Sequence, residues 1–301
     1  MPIFGNIGAT EDAAGARFAA ASGARGLSGQ APRGGLSGAY GTGVTVPWTP
    51  GMRLRCPACA ETSAPGPAWQ GCVGCGGEPL EVVYADSAPA RLPLPCSDLT
   101  SLGHVPTPLV PAPGHDRTWL KLELVSPTGS HKDRFHAVTS AIARLAGSPG
   151  VVTTSSGNHG VSCAAHAAAD GLPCVVLSTA ELPRALEAQI AAHGALVATL
   201  DDGERRRAVL DLVDLGWQPA TSTDPALAGA GNPYGAEGYR AIAAEIVSDL
   251  GSVPGAVAVP VASGDAVLGV VTGFADLAAG GVGPAPLVLA CQPAGAASLA
   301  A

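Results

Sequence analysis

Short apolar segments alternate with longer amphipathic ones from Thr118 to Ala290, and this alternation limits the fold more than any other feature. Apolar or β-branched runs such as 174–177 have the length of buried strands. The longer amphipathic stretches between them, several of which end at glycine, are typical of helices. Strand–helix alternation with buried strands predicts an α/β fold with a largely parallel sheet. The predicted strands are 119–124, 151–154, 174–177, 196–200, 256–261 and 286–290, and the predicted helices are 135–146, 158–169, 183–193, 203–215, 237–250 and 266–279.

Three segments of different composition come before or open this region. Residues 1–50 are rich in Gly, Ala and Ser without an apolar period, which predicts a flexible tail. Residues 51–86 contain four paired cysteines and are predicted to form a small module. The proline-rich stretch 87–117 is predicted to be an extended connector at the start of an α/β region, 87–301. The smaller subdomain of that region is expected at about 135–230.

Composition and charge exclude several functions. The formal net charge is −8, and the one basic run, 205–207, lies among acidic residues as on a solvated helix face, which argues against nucleic-acid binding. No apolar segment reaches the roughly 20 residues that span a bilayer, and the N-terminus lacks a signal-peptide layout. The eight cysteines are therefore expected to be thiols in a reducing cytoplasm.

Lysine is scarce in this chain, which has fourteen arginines but only Lys121 and Lys132. A primary amine condenses with an aldehyde, whereas a guanidinium does not usefully do so. Lys132 lies in a polar stretch, 127–134, and its retention suggests amine chemistry. The alternative is that two lysines escaped the arginine bias by chance.

Two C-x-x-C pairs are separated by twelve residues: Cys56 and Cys59, then Cys72 and Cys75. Four thiolates at this spacing can surround one tetrahedral zinc ion in a closed structural site. The complete ligand set favours a metal site over a relic that folds without metal. The four other cysteines lack paired spacing and are expected to be core thiols, namely Cys96, Cys163, Cys174 and Cys291.

Two glycine-containing loops join a predicted strand to a predicted helix, at 154–160 and 261–266. Helix N-termini offer free N–H groups to anions, and small residues allow close backbone approach. Each loop alone matches an ordinary capped helix start. Two such loops together with a candidate amine indicate one site for an anionic ligand.

Taken together, these residues resemble the threonine synthase-like branch of the pyridoxal-phosphate enzymes, which has the tryptophan synthase β-like fold (fold type II). The resemblance covers about residues 53–301. It rests on Lys121–Glu123 with Pro127–Arg134, Ser155–His159, Leu186–Gln189 with Gly194–Ala195, Asn232–Tyr234 with Glu237–Gly238, Ser263–Asp265 with Gly269 and Gly273–Phe274, and the paired cysteines of a zinc-ribbon-like opening.

The resemblance implies a role for each matching residue. Lys132 binds the cofactor aldehyde and transfers protons, and Asn158 hydrogen-bonds the oxygen on the cofactor ring. The residues implied for the substrate carboxylate are Ser155, Ser156, Gly157 and His159. The residues implied for the cofactor phosphate are Ala262, Ser263, Gly264, Asp265 and Ala266. A structural zinc ion is implied at Cys56, Cys59, Cys72 and Cys75.

The chain departs from the family pattern in three places. The phosphate loop is poor in glycine and carries the anion Asp265, and His131 precedes the lysine where an aromatic residue is common. The chain also stops soon after the strand at 286–290, where the family continues through a Ser or Thr facing the pyridine nitrogen. The resemblance thus implies two doubly wound subdomains with the C-terminal part missing.

The implied activity is that of a lyase that uses pyridoxal phosphate for β- or γ-replacement or elimination on a small amino acid, with O-phosphohomoserine conversion to threonine as the reference reaction. The alternatives are an ammonia-lyase or cysteate-synthase-like β-replacement on a serine derivative, and an inactive truncated relative. The oligomeric state is undefined by the sequence, and a homodimer is the default because dimers are the commonest oligomers.

Overall fold

The computed structural model of the chain describes residues 46–76, 80–85, 92–100, 102–103, 106–222 and 232–296. The predicted flexible tail, 1–50, therefore lies outside the described residues up to position 45. At its end, Val46 is buried and Trp48 forms an isolated antiparallel bridge with Cys96.

A small antiparallel sheet carries the paired cysteines. Strand β1 (Met52–Arg55) lies between β2 (Thr62–Ser63) and β3 (Glu81–Tyr84). Burial alternates along β1, as expected for a strand with one face against a core.

A four-stranded parallel sheet forms the centre of the α/β region. Its strands, in spatial order, are β8 (Leu196–Thr199), β7 (Cys174–Ser178), β6 (Val151–Thr154) and β9 (Gln218–Pro219). Strand β7 is buried along its whole length, which is typical of a central strand in a parallel sheet. The carboxyl ends of these strands share one edge, where α/β folds place their ligands.

Two further strand pairs complete the described sheets. Strands β4 (Leu109–Pro111) and β5 (Trp119–Lys121) pair antiparallel, while β10 (Ala256–Pro260) and β11 (Leu287–Cys291) pair parallel. Within the described residues β11 is largely exposed, and Cys291 is exposed with it. The expectation that Cys291 is a core thiol is therefore wrong, whereas Cys96, Cys163 and Cys174 are buried.

Seven α-helices are described, and none of them is long and apolar enough to cross a membrane. They are α1 (Lys132–Leu145), α2 (Asn158–Ala169), α3 (Arg184–Ala192), α4 (Asp202–Asp214), α5 (Pro233–Glu237), α6 (Ala241–Leu250) and α7 (Asp265–Ala279).

Three elements differ from the sequence prediction by three residues or more. Helix α1 begins at Lys132 rather than at 135. The strand predicted over 119–124 ends at Lys121 and is followed by a 3₁₀ turn, because Glu123 turns inward to pair with Arg134. The helix predicted over 237–250 is interrupted by a 3₁₀ turn at Gly238–Arg240.

Helix α1 contributes to three hydrophobic cores, one of which, through Ala143, is that of the central sheet. Val138, Ala141 and Ile142 pack with the cysteine-bearing sheet and with Tyr234. On another side, Phe135 packs with Tyr239 and with α6 and α7. A substitution in either of these two cores would therefore disturb the packing of the helix that begins at Lys132.

Candidate functional site

The buried Asp133 fixes the first turn of α1, where Lys132 lies. The Asp133 carboxylate is 0% exposed and accepts hydrogen bonds from Thr128 N at 2.7 Å, Thr128 Oγ1 at 2.6 Å and Ser162 Oγ at 2.6 Å. Ser130 Oγ accepts from Lys132 N at 3.1 Å. Charge-assisted bonds of this kind fix the turn before the helix, so the backbone of Lys132 is held rigidly.

The Lys132 side chain is partly buried, and its amine makes no hydrogen bond or ion pair with a described residue. Burial lowers the pKa of Lys132, and the charge of Asp265 partly opposes this shift. A lowered pKa increases the fraction of neutral amine, which is the form that acts as a base or nucleophile.

Arg134 anchors the opposite side of the same turn through a network of charges. Its guanidinium donates to Glu123 Oε2 at 2.7 Å and to Glu245 Oε1 at 2.7 Å, and Lys121 Nζ also lies 2.8 Å from Glu245 Oε2. The Arg134 side chain is only 9% exposed. The network ties the start of α1 to β5 and α6.

We expect Arg134→Ala to lower the free energy of unfolding by about 3–5 kcal/mol, because it leaves the mostly buried Glu123 carboxylate without its cationic partner and leaves Glu245 with Lys121 alone. The matched control is Arg55→Ala, since Arg55 pairs with Glu81 while 51% exposed and should contribute at most about 1 kcal/mol. Urea denaturation of both variants measures the difference, and equal losses would contradict a structural role for the Arg134 network.

The loop from Ser155 to His159 joins β6 to α2 at the carboxyl edge of the central sheet. Ser155 Oγ accepts from Gly157 N at 3.1 Å and from Gly160 N at 2.8 Å, which closes the loop on itself. Ser156 and Asn158 are exposed, and a Cβ built on Gly157 would meet nothing within 4 Å. The start of α2 is thus open to a ligand.

His159 connects this loop to the end of β9. Its Nε2 lies 2.7 Å from Ala220 O, and because a carbonyl only accepts, Nε2 carries the proton. Its Nδ1 is then an acceptor, and this atom is buried without a partner among the described residues. Burial, followed by the charge of Lys132, lowers the pKa of His159 to about 4, so the ring is neutral near pH 7.

The loop at 262–266 joins β10 to α7. Gly264 has a φ of +102° with open space where a Cβ would stand, and α7 begins at Asp265. Ser263 Oγ donates to Asp265 Oδ2 at 2.6 Å. The Asp265 carboxylate therefore accepts a hydrogen bond from the one hydroxyl group of this loop.

The three segments predicted to form the site act on one another electrostatically. The charges of Lys132 and Asp265 both shift the pKa of His159, although the three residues lie on different elements. The cysteines form a separate group on the small sheet, where their Sγ atoms all lie within 4.8 Å of one another. This spacing brings four candidate ligands to one point, as a tetrahedral metal site requires.

Sequence reasoning missed Tyr239 and His136. Both side chains are fully buried, and Tyr239 Oη and His136 Nε2 have no hydrogen-bond partner among the described residues. His136 follows Lys132 by four positions on one helix, and this spacing is a signal that could have identified it. Tyr239 directly follows Glu237 and Gly238 in the chain, and no sequence pattern marks it as a site residue.

The cysteine-bearing sheet is joined to α5 by polar contacts as well as by its core. Tyr234 Oη donates to Gly66 O at 2.7 Å and accepts from Gly66 N at 2.9 Å, and its ring stacks on Trp48 at 5.1 Å. Tyr84 Oη donates to Glu237 Oε2 at 3.0 Å. The sheet is therefore held against the elements that carry the Lys132 site.

Comparison with known proteins gives one family. Residues 100–301 match the family model described as pyridoxal-phosphate dependent enzyme. The threonine synthase of Mycobacterium leprae is 34% identical over 203 residues, which cover 64% of this chain and 54% of that protein. The threonine synthase of Halalkalibacterium halodurans is 31% identical over 185 residues, which cover 59% and 51%. The chain thus spans about half the length of these curated relatives.

Solved structures agree on the fold. An O-ureido-L-serine synthase is 26% identical with a TM-score of 0.55, covering 64% of this chain and 62% of that chain. Maize serine racemase is 21% identical with a TM-score of 0.54, and the match covers 64% of this chain and 57% of that chain. At this identity the likeness is one of fold alone. The expectation of an α/β fold of the fold type II class is confirmed.

Proposed function

This chain belongs to the family of pyridoxal-phosphate-dependent enzymes, and we propose that it catalyses replacement or elimination at the β- or γ-carbon of a small amino acid. The observation that carries the proposal is the Lys132 amine, which is partly buried and without a hydrogen-bond or ion-pair partner among the described residues, and which interacts electrostatically with His159 and Asp265 at two strand–loop–helix junctions. When bound, pyridoxal phosphate supplies the electron sink for such chemistry.

The described residues fit this cofactor. Two buried polar atoms have no described partner: His159 Nδ1, in a ring whose pKa the charge of Lys132 lowers, and Tyr239 Oη, in a ring 5.7 Å from that of His131. Such orphan atoms are rare in native proteins unless a ligand or water satisfies them. The backbones of Gly157 and Gly264 both face open space.

Each residue of the site has a proposed task. Lys132 binds the cofactor aldehyde and afterwards moves a proton at the substrate α-carbon. The N–H groups at the start of α2, over 155–159, bind the substrate carboxylate, because a helix N-terminus favours an anion. The start of α7, over 262–266, binds the cofactor phosphate for the same reason.

O-Phosphohomoserine is the first substrate to test, because the curated relatives matched here are threonine synthases. Inorganic phosphate release from O-phosphohomoserine, with threonine as the product, supports this substrate. A protein that binds the cofactor but releases no phosphate would contradict it. A protein without any absorbance band that borohydride removes would instead be an inactive relative.

A serine derivative is the second candidate substrate class. The structural likeness to an O-ureido-L-serine synthase, at 26% identity, favours β-replacement on such a compound. Formation of a new amino acid from O-acetylserine and an added nucleophile, without phosphate release from O-phosphohomoserine, would select this candidate.

We expect Asn158→Ala to shift the visible absorbance band of the bound cofactor or its pH dependence, with little change in melting temperature. The Asn158 side chain is exposed and caps no described N–H group, so its loss costs the fold little. The matched control is Asn232→Ala, because Asn232 accepts from Gly235 N at 3.2 Å and donates to Thr139 Oγ1 at 2.9 Å.

The control should lose about 1–2 kcal/mol of stability and keep the spectrum of the wild-type protein. An Asn158→Ala variant with an unchanged spectrum and a lower melting temperature would show that Asn158 stabilises the fold instead.

A further inference from the structure

Tyr239 has a hydroxyl group that is buried and hydrogen-bonds no described residue. The whole side chain is 0% exposed and packs near His131, at 5.7 Å between ring centroids, and near Phe135, at 6.3 Å. Buried polar groups without a partner are rare, and each one requires an explanation such as a ligand or water.

The backbone of Tyr239 packs on α7, while its ring lies near His131 and Phe135 at the start of α1. A Cβ built on Gly269 would lie 2.5 Å from the Tyr239 Cβ, so the tyrosine backbone packs directly on that helix. Gly269 lies about one turn after Asp265, the residue at which α7 begins. Burial and then the charge of Asp265 raise the pKa of Tyr239 well above its usual range, so the hydroxyl keeps its proton.

The loop at 262–266 lacks a free side-chain donor. Its one hydroxyl, Ser263 Oγ, donates to Asp265 Oδ2 at 2.6 Å. A phosphate bound at this helix N-terminus would meet backbone N–H groups but no free loop hydroxyl. Tyr239 Oη has a proton to donate, and Asp265 of this loop is the charged group that raises its pKa most.

We propose that Tyr239 is a cofactor-binding residue whose hydroxyl donates a hydrogen bond to the phosphate of pyridoxal phosphate. This rests on the proposed function, which puts that phosphate at 262–266. A hydroxyl that a ligand satisfies leaves the cofactor-free protein with an unpaired polar group. Its removal should therefore weaken cofactor binding without weakening the fold.

The test compares Tyr239→Phe with Tyr234→Phe in the 301-residue chain after the cofactor has been removed with hydroxylamine. We expect Tyr239→Phe to have a melting temperature at or above that of the wild type. Its Kd for pyridoxal phosphate should rise about tenfold, which corresponds to about 1.4 kcal/mol. Its Kd for pyridoxal, which has no phosphate, should stay the same.

Tyr234→Phe is the control, because Tyr234 is equally buried but hydrogen-bonds both backbone atoms of Gly66. It should melt at a lower temperature and bind pyridoxal phosphate as the wild type does. A Tyr239→Phe variant that loses affinity for pyridoxal equally, keeps full affinity for pyridoxal phosphate, or melts as early as Tyr234→Phe would overturn the proposal. A wild-type protein that does not bind pyridoxal phosphate would overturn the proposed function and this inference together.

Discussion

Lys132→Ala is expected to abolish the visible absorbance band that borohydride removes and to lower turnover by at least about 100-fold. Loss of a positioned acid–base group alone typically costs about 10²–10⁴-fold. The variant also loses the one amine that is partly buried and unpaired among the described residues of the site. Borohydride reduction followed by peptide mapping should find the cofactor on the peptide that contains Lys132.

Lys121→Arg is the matched control, since Lys121 is the other lysine of the chain. Its Nζ donates to Thr107 O at 2.5 Å and lies 2.8 Å from Glu245 Oε2, so its amine is engaged in the structure. An arginine can keep both contacts, and the absorbance band should remain. Loss of the band in Lys121→Arg with retention in Lys132→Ala would reverse the assignment.

The strands of the central sheet and the helices between them could be predicted from the sequence because their hydrophobic patterns are clear. Strands such as 174–177 are continuous apolar runs, and the helices between them end at glycines. Helix–strand alternation then leaves few architectures open. The matched family and the solved structures confirm the resulting fold class.

The start of α1 could not be predicted because tertiary contacts override local preference. Asp133 is a polar residue in a polar stretch, which argued for a loop up to 134. In the structure its carboxylate is buried and accepts three hydrogen bonds from Thr128 and Ser162. Ser162 lies on another helix, so no local pattern carries this information.

The chemistry of the site was only partly visible in the sequence for a similar reason. Lys132 and the loops at 155–159 and 262–266 have recognisable residue types at strand–helix junctions. The unpaired state of Tyr239 Oη and His136 Nε2 depends on which groups surround them, which only the fold reveals. The pairing of Ser263 with Asp265 likewise explains how the loop accommodates an anion that the sequence left without a partner.

Removal of the metal proposed at the cysteine cluster is expected to destabilise the chain by several kcal/mol. Sγ–Sγ distances are 3.5 Å for Cys56–Cys75 and 3.5 Å for Cys59–Cys72, and four thiolates this close repel one another unless a cation or protons neutralise them. In closed four-thiolate sites, metal binding contributes directly to the folding free energy. Elemental analysis of protein prepared without chelator should find about one zinc per chain.

Cys72→Ser should lose the metal, whereas Cys291→Ser should retain it, because Cys291 is an exposed thiol on β11 outside the cluster. Thermal melts and zinc content measured on both variants give the comparison. Full stability of Cys72→Ser, or metal-free wild-type protein, would rule out a structural metal.

The effect of metal loss should extend to the cofactor site, because the two share one helix. The core beneath the cysteines includes Val138 and Ile142 of α1, and the same helix begins at Lys132. A loosened cysteine module removes packing from one side of α1 while the Asp133 and Arg134 contacts remain at its start. We therefore expect chelation to raise the Kd for pyridoxal phosphate while leaving the absorbance maximum of the bound cofactor unchanged. A shifted maximum with unchanged affinity would mean instead that the cysteine cluster acts on the bound cofactor directly.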